Sequence, residues 1–127
     1  MVEQHNIRII PVVRYSNTLK YRCHCIRFDV ENFTNEKISL FRGKIAHLLE
    51  QQPTNLALDF VKVEHIDAGG IEYLVLLKRE VASYGGNLIL YNIKSKLYRL
   101  LEMTQVTRLI NIHQDSLALS KKQYLAS

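Results

Sequence analysis

The residues of this chain that could do chemistry gather at one point. After a short apolar run the sequence reads His65-Ile66-Asp67-Ala68-Gly69-Gly70 and then passes into an apolar pattern of helical spacing. A carboxylate at the mouth of a helix can accept N–H bonds from the helix's first turn, so Asp67 reads as a cap and as a candidate functional acid at once. Gly69-Gly70 could bring backbone N–H groups up to an anion. The eight-residue phosphate loop ending in Lys-Ser/Thr is absent, however, and the second pair, Gly85-Gly86, follows a helix instead of preceding one. Neither Ala68 nor Gly69 carries a hydroxyl, thiol or acid. A switch worked by covalent modification would find no handle there.

Other constellations fall short of a site. Cys23-His24-Cys25 supplies two thiolates on one strand, whereas structural zinc wants four ligands and no second Cys pair exists. The cysteines read as buried and inert. His5, His24, His47, His65 and His113 are dispersed, without the i, i+4 pair of a metalloprotease, and no Ser sits in a Gly-x-Ser-x-Gly elbow. No catalytic residue, metal or cofactor is called, and the chain reads as a non-enzyme.

The elements that must position the Asp67 turn follow from periodicity. Ile7 to Val13 and Tyr21 to Phe28 read as a hairpin about Ser16-Asn17-Thr18, with Pro11 placing the first strand at an edge. Tyr21, Cys23 and Cys25 share one face while Arg22, His24 and Arg27 interrupt the other, which argues for one buried side. Ile38, Phe41, Ile45, Leu48 and Leu49 mark a helix from about Glu36 to Gln51, capped by Thr34 or Asn35. Leu56 to Val61 is a central strand. The helix after Gly70 ends at Gly85-Gly86, Asn87 to Tyr91 is a strand, Ser95 to Met103 a helix, and Leu109 to Ile112 a last strand. Asp115 or Ser116 would cap a C-terminal helix through Leu117 and Leu119. The expected fold is α/β: a mixed sheet of about five strands with about four helices, in the order β-β-α-β-α-β-α-β-α.

Composition bounds the rest. The 127 residues, 47% hydrophobic and 23% charged, fit a single domain that needs no metal or disulfide to hold its core. No apolar stretch approaches the roughly 20 residues of a membrane span, and the N-terminus lacks a signal core, so a cytoplasmic location without membrane insertion is expected. The net charge of +5 is scattered along the chain, which argues against nucleic acid as a partner.

One resemblance joins these features. The run Asn55 to Ile71 with its Asp67-Ala68-Gly69-Gly70 turn, the segment Tyr84-Gly85-Gly86-Asn87-Leu88-Ile89-Leu90, and Leu97-Tyr98-Arg99-Leu100-Leu101-Glu102-Met103-Thr104 together resemble the STAS domain of anti-sigma factor antagonists. Cys25 to Leu49 looks like that family's second strand and first helix, so the resemblance spans most of the chain. It implies partner switching: such a domain binds a kinase-fold anti-sigma factor until the kinase phosphorylates the Ser after the Asp. Asp67 matches the family's Asp, Ala68 falls on the phosphoacceptor, Gly69 on the next hydroxyl residue and Gly70 on the Gly, while Gln105 stands where the family often has Gly. The acceptor is lost. The resemblance therefore implies a constitutive binder or scaffold subunit of a bacterial signalling and transcription-regulating system, with self-association among its options. The expected partner surface is Asp67, Ala68, Gly69, Gly70 and Ile71, with Glu72, Tyr73 and Lys78 as a rim, Tyr73 reading equally as partial core packing. The alternative is a STAS-type nucleotide- or small-ligand-binding module, or an accessory subunit of a membrane transporter. Ser83, Ser95 and Thr104, hydroxyls near helix ends, read as caps.

Overall fold

Strands β1 (Ile7–Tyr15) and β2 (Lys20–Phe28) pair antiparallel along their length in the computed structural model, which describes residues 7–15, 20–51 and 55–113. Strands β4 (Asn55–Asp59), β6 (Leu88–Tyr91) and β7 (Asn111–His113) then add parallel to β2, giving a five-stranded sheet in the order β1-β2-β4-β6-β7. β1 is an outer strand, the position Pro11 requires. Helices α1 (Asn35–Gln51), α2 (Ala68–Ser83) and α3 (Ser95–Met103) alternate with the parallel strands. The expected C-terminal helix lies outside the described residues.

Two features have no counterpart in the sequence reading. β3 (Asn32–Phe33) and β5 (His65–Ile66) form a separate two-stranded parallel ladder, Asn32 opposite His65 and Phe33 opposite Ile66. The Glu31 carbonyl extends it by accepting from the N–H groups of Glu64 at 2.7 Å and His65 at 3.0 Å. The last strand, read as Leu109 to Ile112, starts instead at Asn111, because a 3-10 turn over Val106–Arg108 uses the preceding residues. Gln105 opens that turn with a left-handed backbone, φ 66°, the conformation that costs a residue with a Cβ and costs glycine nothing.

The core follows strand alternation. Ile26 and Phe28 of β2, Leu56 and Leu58 of β4, and Leu88 and Leu90 of β6 join Ile38, Phe41, Ile45 and Leu49 of α1, Leu74, Leu77 and Val81 of α2, and Leu97 and Leu101 of α3 in one buried cluster. The core side of β2 is therefore the one carrying His24, Ile26 and Phe28, not the one carrying Cys25. Cys25 is half-buried on the opposite face with Ala57, Ile89 and Tyr91.

Helix α2 stops as its glycines predict. Gly85 takes φ 84°, and the Gly85 and Gly86 N–H groups donate to the Ala82 and Val81 carbonyls at 2.9 and 3.0 Å.

Candidate functional site

Asp67 caps two helices with one carboxylate. Its Oδ1 accepts from the Gly70 N–H at 2.8 Å, closing the first turn of α2. Its Oδ2 accepts from the Asn35 N–H, the first residue of α1, at 3.4 Å. The β3–β5 ladder makes this sharing feasible, because it sets the chain entering α1 beside the chain entering α2. Both helices thus begin at the same point, and the partial positive charge of each start faces the same anion.

The glycines after Asp67 are there for different reasons. A Cβ at Gly70 would stand 2.2 Å from the Phe33 carbonyl oxygen and 2.7 Å from Ile66 Cγ1. Only a bare α-carbon lets α2 approach β3 so closely, and Gly70 is buried. A Cβ at Gly69 would meet Asn35 Cβ at 2.8 Å, so the absence of a hydroxyl residue there fits the asparagine packed against it. Ala68 is exposed and unconfined.

The other expected site residues divide by burial. Ile71 is half-buried against the core, Glu72 is exposed, and Lys78 is half-buried. Of the two readings of Tyr73, rim or core, its burial favours the second: it is 6% exposed and belongs to the core. Its ring centroid lies 6.2 Å from that of Phe33 and 6.4 Å from that of Phe41, and the Arg42 guanidinium sits 5.3 Å from the ring centre. Burial pushes the Tyr73 hydroxyl well above its ordinary value of 10.0; Arg42 partly offsets this and Glu80 reinforces it.

The turn between β4 and β5 is held from below by residues the sequence reading passed over. Asp59, 3% exposed at the end of β4, accepts from Arg27 Nε at 3.0 Å, the Val61 N–H at 3.0 Å and Asn92 Nδ2 at 3.1 Å. A buried carboxylate so fully partnered fixes the chain that leaves the strand. Lys94 donates to the Val61 carbonyl and pairs with Glu64 at 3.4 Å, and Lys62 pairs with Asp29 at 3.4 Å. A signal existed: Asp59 is a single carboxylate directly after the apolar Leu56-Ala57-Leu58 of β4.

Beside the turn lies an open groove of about 390 Å³ between Glu64-His65-Ile66 and α3. Leu97, Leu100 and Met103 line it with Lys96 and Arg99, and Met103 is 79% exposed. α3 therefore turns its apolar stripe partly to the core and partly to solvent, next to the mouth of α2.

A sequence model of the STAS domain matches residues 18–117 of this chain. The chain belongs to the STAS family. A search of curated proteins returns no match. Solved STAS structures share the fold at low identity. An anti-sigma-factor antagonist STAS domain protein from Planctomyces limnophilus superposes with a TM-score of 0.69 at 16% identity, over 86% of this chain and 90% of that one. The anti-sigma factor antagonist SpoIIAA in its unphosphorylated form gives 0.63 at 17%, over 92% and 97%. SpoIIAA, there called a Bacillus cell fate determinant, gives 0.63 at 16% in its phosphorylated form, over 91% and 97%. The murine solute carrier 26 family member A9 anion transporter gives 0.61 at 15%, over 80% of this chain and 18% of that one.

Proposed function

We propose that this STAS domain is a non-enzymatic partner-binding protein of the anti-sigma factor antagonist type, acting in the bacterial cytoplasm on a kinase-fold anti-sigma factor or another protein of a STAS signalling system. The observation that carries the reading is the exposed Ala68 on a fully built cap. The turn, its double-helix anchor and the glycine packing support the reading of a surface kept for docking, while the position that the family resemblance assigns to the phosphoacceptor has no side-chain oxygen. The chain therefore stays in the binding-competent form with respect to that position, as a constitutive antagonist or scaffold subunit. In this reading Ala68 and Glu72 make contact, with Ile71 and the Met103 groove as the apolar part, while Asp67, Gly69, Gly70 and Tyr73 hold the surface in shape.

Affinity capture from source cells tests this, with Ala68→Glu as the control bait. Recovery of a kinase-fold protein by the native chain and its loss with Ala68→Glu is the expected result. Capture that is indifferent to position 68 would refute the docking surface. The groove supports a second reading, a small-ligand or nucleotide module or a transporter's accessory domain, because its volume falls in the ligand range. A rise in melting temperature with nucleotide would favour it.

A further inference from the structure

The ladder of β3 and β5 has a free edge, and the groove beside α3 runs along it. The two strands form a sheet of their own, with no third strand beside β5 among the described residues. In a parallel pair, alternate residues of a strand turn their N–H and C=O to the partner. His65 is such a residue, because its N–H donates to the Glu31 carbonyl at 3.0 Å while it stands opposite Asn32. The N–H and C=O of Ile66, one residue on, therefore point away from β3. Glu64, His65 and Ile66 line the groove and no residue of β3 does, so the groove lies on the side to which the Ile66 backbone turns. An unpaired strand edge is a template for another extended chain.

The far wall of the groove is amphipathic. Leu97, Leu100 and Met103 give it an apolar floor, with Met103 79% exposed. Lys96 and Arg99 are exposed and stand at i and i+3, with Leu100 and Met103 at i+4 and i+7, so all four share one side of α3. Neither cation has an ion-pair partner among the described residues. The acid on the groove, Glu64, is already paired with Lys94 at 3.4 Å. A free backbone donor and acceptor, apolar surface and unanswered positive charge thus meet in one place.

We propose that this groove binds an extended, acidic segment of a partner protein by strand addition to β5. The proposal rests on the reading of the chain as a partner-binding domain and supplies the chemistry of the partner's segment, without depending on contact at Ala68. Main-chain bonds to Ile66 set the register, and side chains of the added strand alternate between its two sides. Apolar ones pack on Leu97, Leu100 and Met103, and carboxylates between them meet Lys96 and Arg99. A helical segment has no main-chain groups to offer the Ile66 N–H and C=O, which is why an extended one fits better.

The test uses the full chain and a fluorescent short peptide of alternating glutamate and leucine. A lysine-leucine peptide, a glutamate-leucine peptide methylated at alternate backbone nitrogens, and decanoate serve as comparisons. Anisotropy reads binding, and amide hydrogen exchange followed by NMR reads Ile66. The glutamate peptide should bind more than about tenfold tighter than the lysine peptide, and Met103→Glu or Arg99→Glu should weaken it more than about tenfold. Methylation on the bonded edge should abolish binding, and the bound peptide should slow exchange of the Ile66 N–H. No binding up to about 1 mM glutamate peptide, equal binding of the lysine or methylated peptide, or unchanged exchange at Ile66 would each overturn the proposal. Decanoate displacing the peptide at equal concentration would overturn it in favour of a small anionic amphiphile. The methylated peptide and the Ile66 amide are read on the native chain, so they decide the matter whether or not a variant folds. Peptide binding with no kinase-fold protein captured from cells would keep the groove and sink the antagonist reading. Capture lost with Ala68→Glu but no peptide bound would keep that reading and sink this one.

Discussion

Replacing Asp67 by Ala should loosen two helix starts at once. The bond from Gly70 N–H to Oδ1, 2.8 Å long, is a standard cap, and losing such a cap costs about 1 kcal/mol. The carboxylate charge facing two helix ends adds about 0.3–1 kcal/mol. The Asn35 contact, 3.4 Å and exposed, is near the limit of hydrogen-bond geometry and adds little. The sum is about 1.3–2 kcal/mol. Asp67→Asn keeps an acceptor oxygen and loses only the charge, so it should cost about 0.3–1 kcal/mol. For a chain of 127 residues, a change of 1 kcal/mol moves Tm by about 3–5 °C. The Ala variant should therefore melt about 4–10 °C low and the Asn variant about 1–5 °C low. Urea and thermal unfolding followed by far-UV circular dichroism, at low and high salt, reads both, and only the charge part should shrink with salt. Equal losses for Ala and Asn would show that the hydrogen bond contributes nothing. An unchanged Ala variant would remove the shared cap from the account altogether.

Gly70→Ala should cost about 3 kcal/mol or more, since the new Cβ meets the backbone oxygen of Phe33. Ala68→Ser, one turn position away and exposed, should stay within about 0.5 kcal/mol by denaturant titration; comparable losses at both would contradict the packing described. Gln105→Gly should stabilise by about 0.5–1 kcal/mol, the left-handed strain relieved less the added freedom of the unfolded chain, and a lower Tm would refute it. Stability should fall as pH rises above 10.0, because Tyr73 releases its proton in the unfolded chain at that ordinary value while the folded chain retains it. The loss approaches about 1.4 kcal/mol per pH unit per tyrosine. Tyr73→Phe should flatten that slope in unfolding curves taken between neutral and strongly alkaline pH.

Long periodic segments were legible in the sequence because their burial repeats. The Ile38-Phe41-Ile45-Leu49 spacing placed α1 within a residue of its start, and Gly85-Gly86 fixed the end of α2. Asp67 as a cap was equally readable, because a short carboxylate before a helical pattern has one obvious backbone use. The β3–β5 ladder was not, since two-residue strands have no period and exist only because distant turns meet. Its absence from the reading hid the second bond of Asp67 and the reason for Gly70. Tyr73 stayed open between rim and core for a related reason. A tyrosine six residues into a helix is amphipathic on paper, and only the convergence of Phe33 and Phe41 from other elements decides that it turns inward. Arg27 was assigned to the wrong side of β2, although strand parity puts it with Cys25 over Asp59.

Phe28, Phe33, Phe41, Phe60 and Tyr73 lie with neighbouring ring centroids 5.0 to 6.4 Å apart directly beneath the two helix starts. Rings packed against one another, some edge to face and some tilted, in a close-packed interior leave few rotamers to surrender. A partner settling on the turn above would meet a surface already in its bound shape, so little conformational entropy would be lost on this side of the complex. Association should then proceed without a slow rearrangement here, and differences in affinity among variants of the turn should appear in the lifetime of the complex more than in its rate of formation.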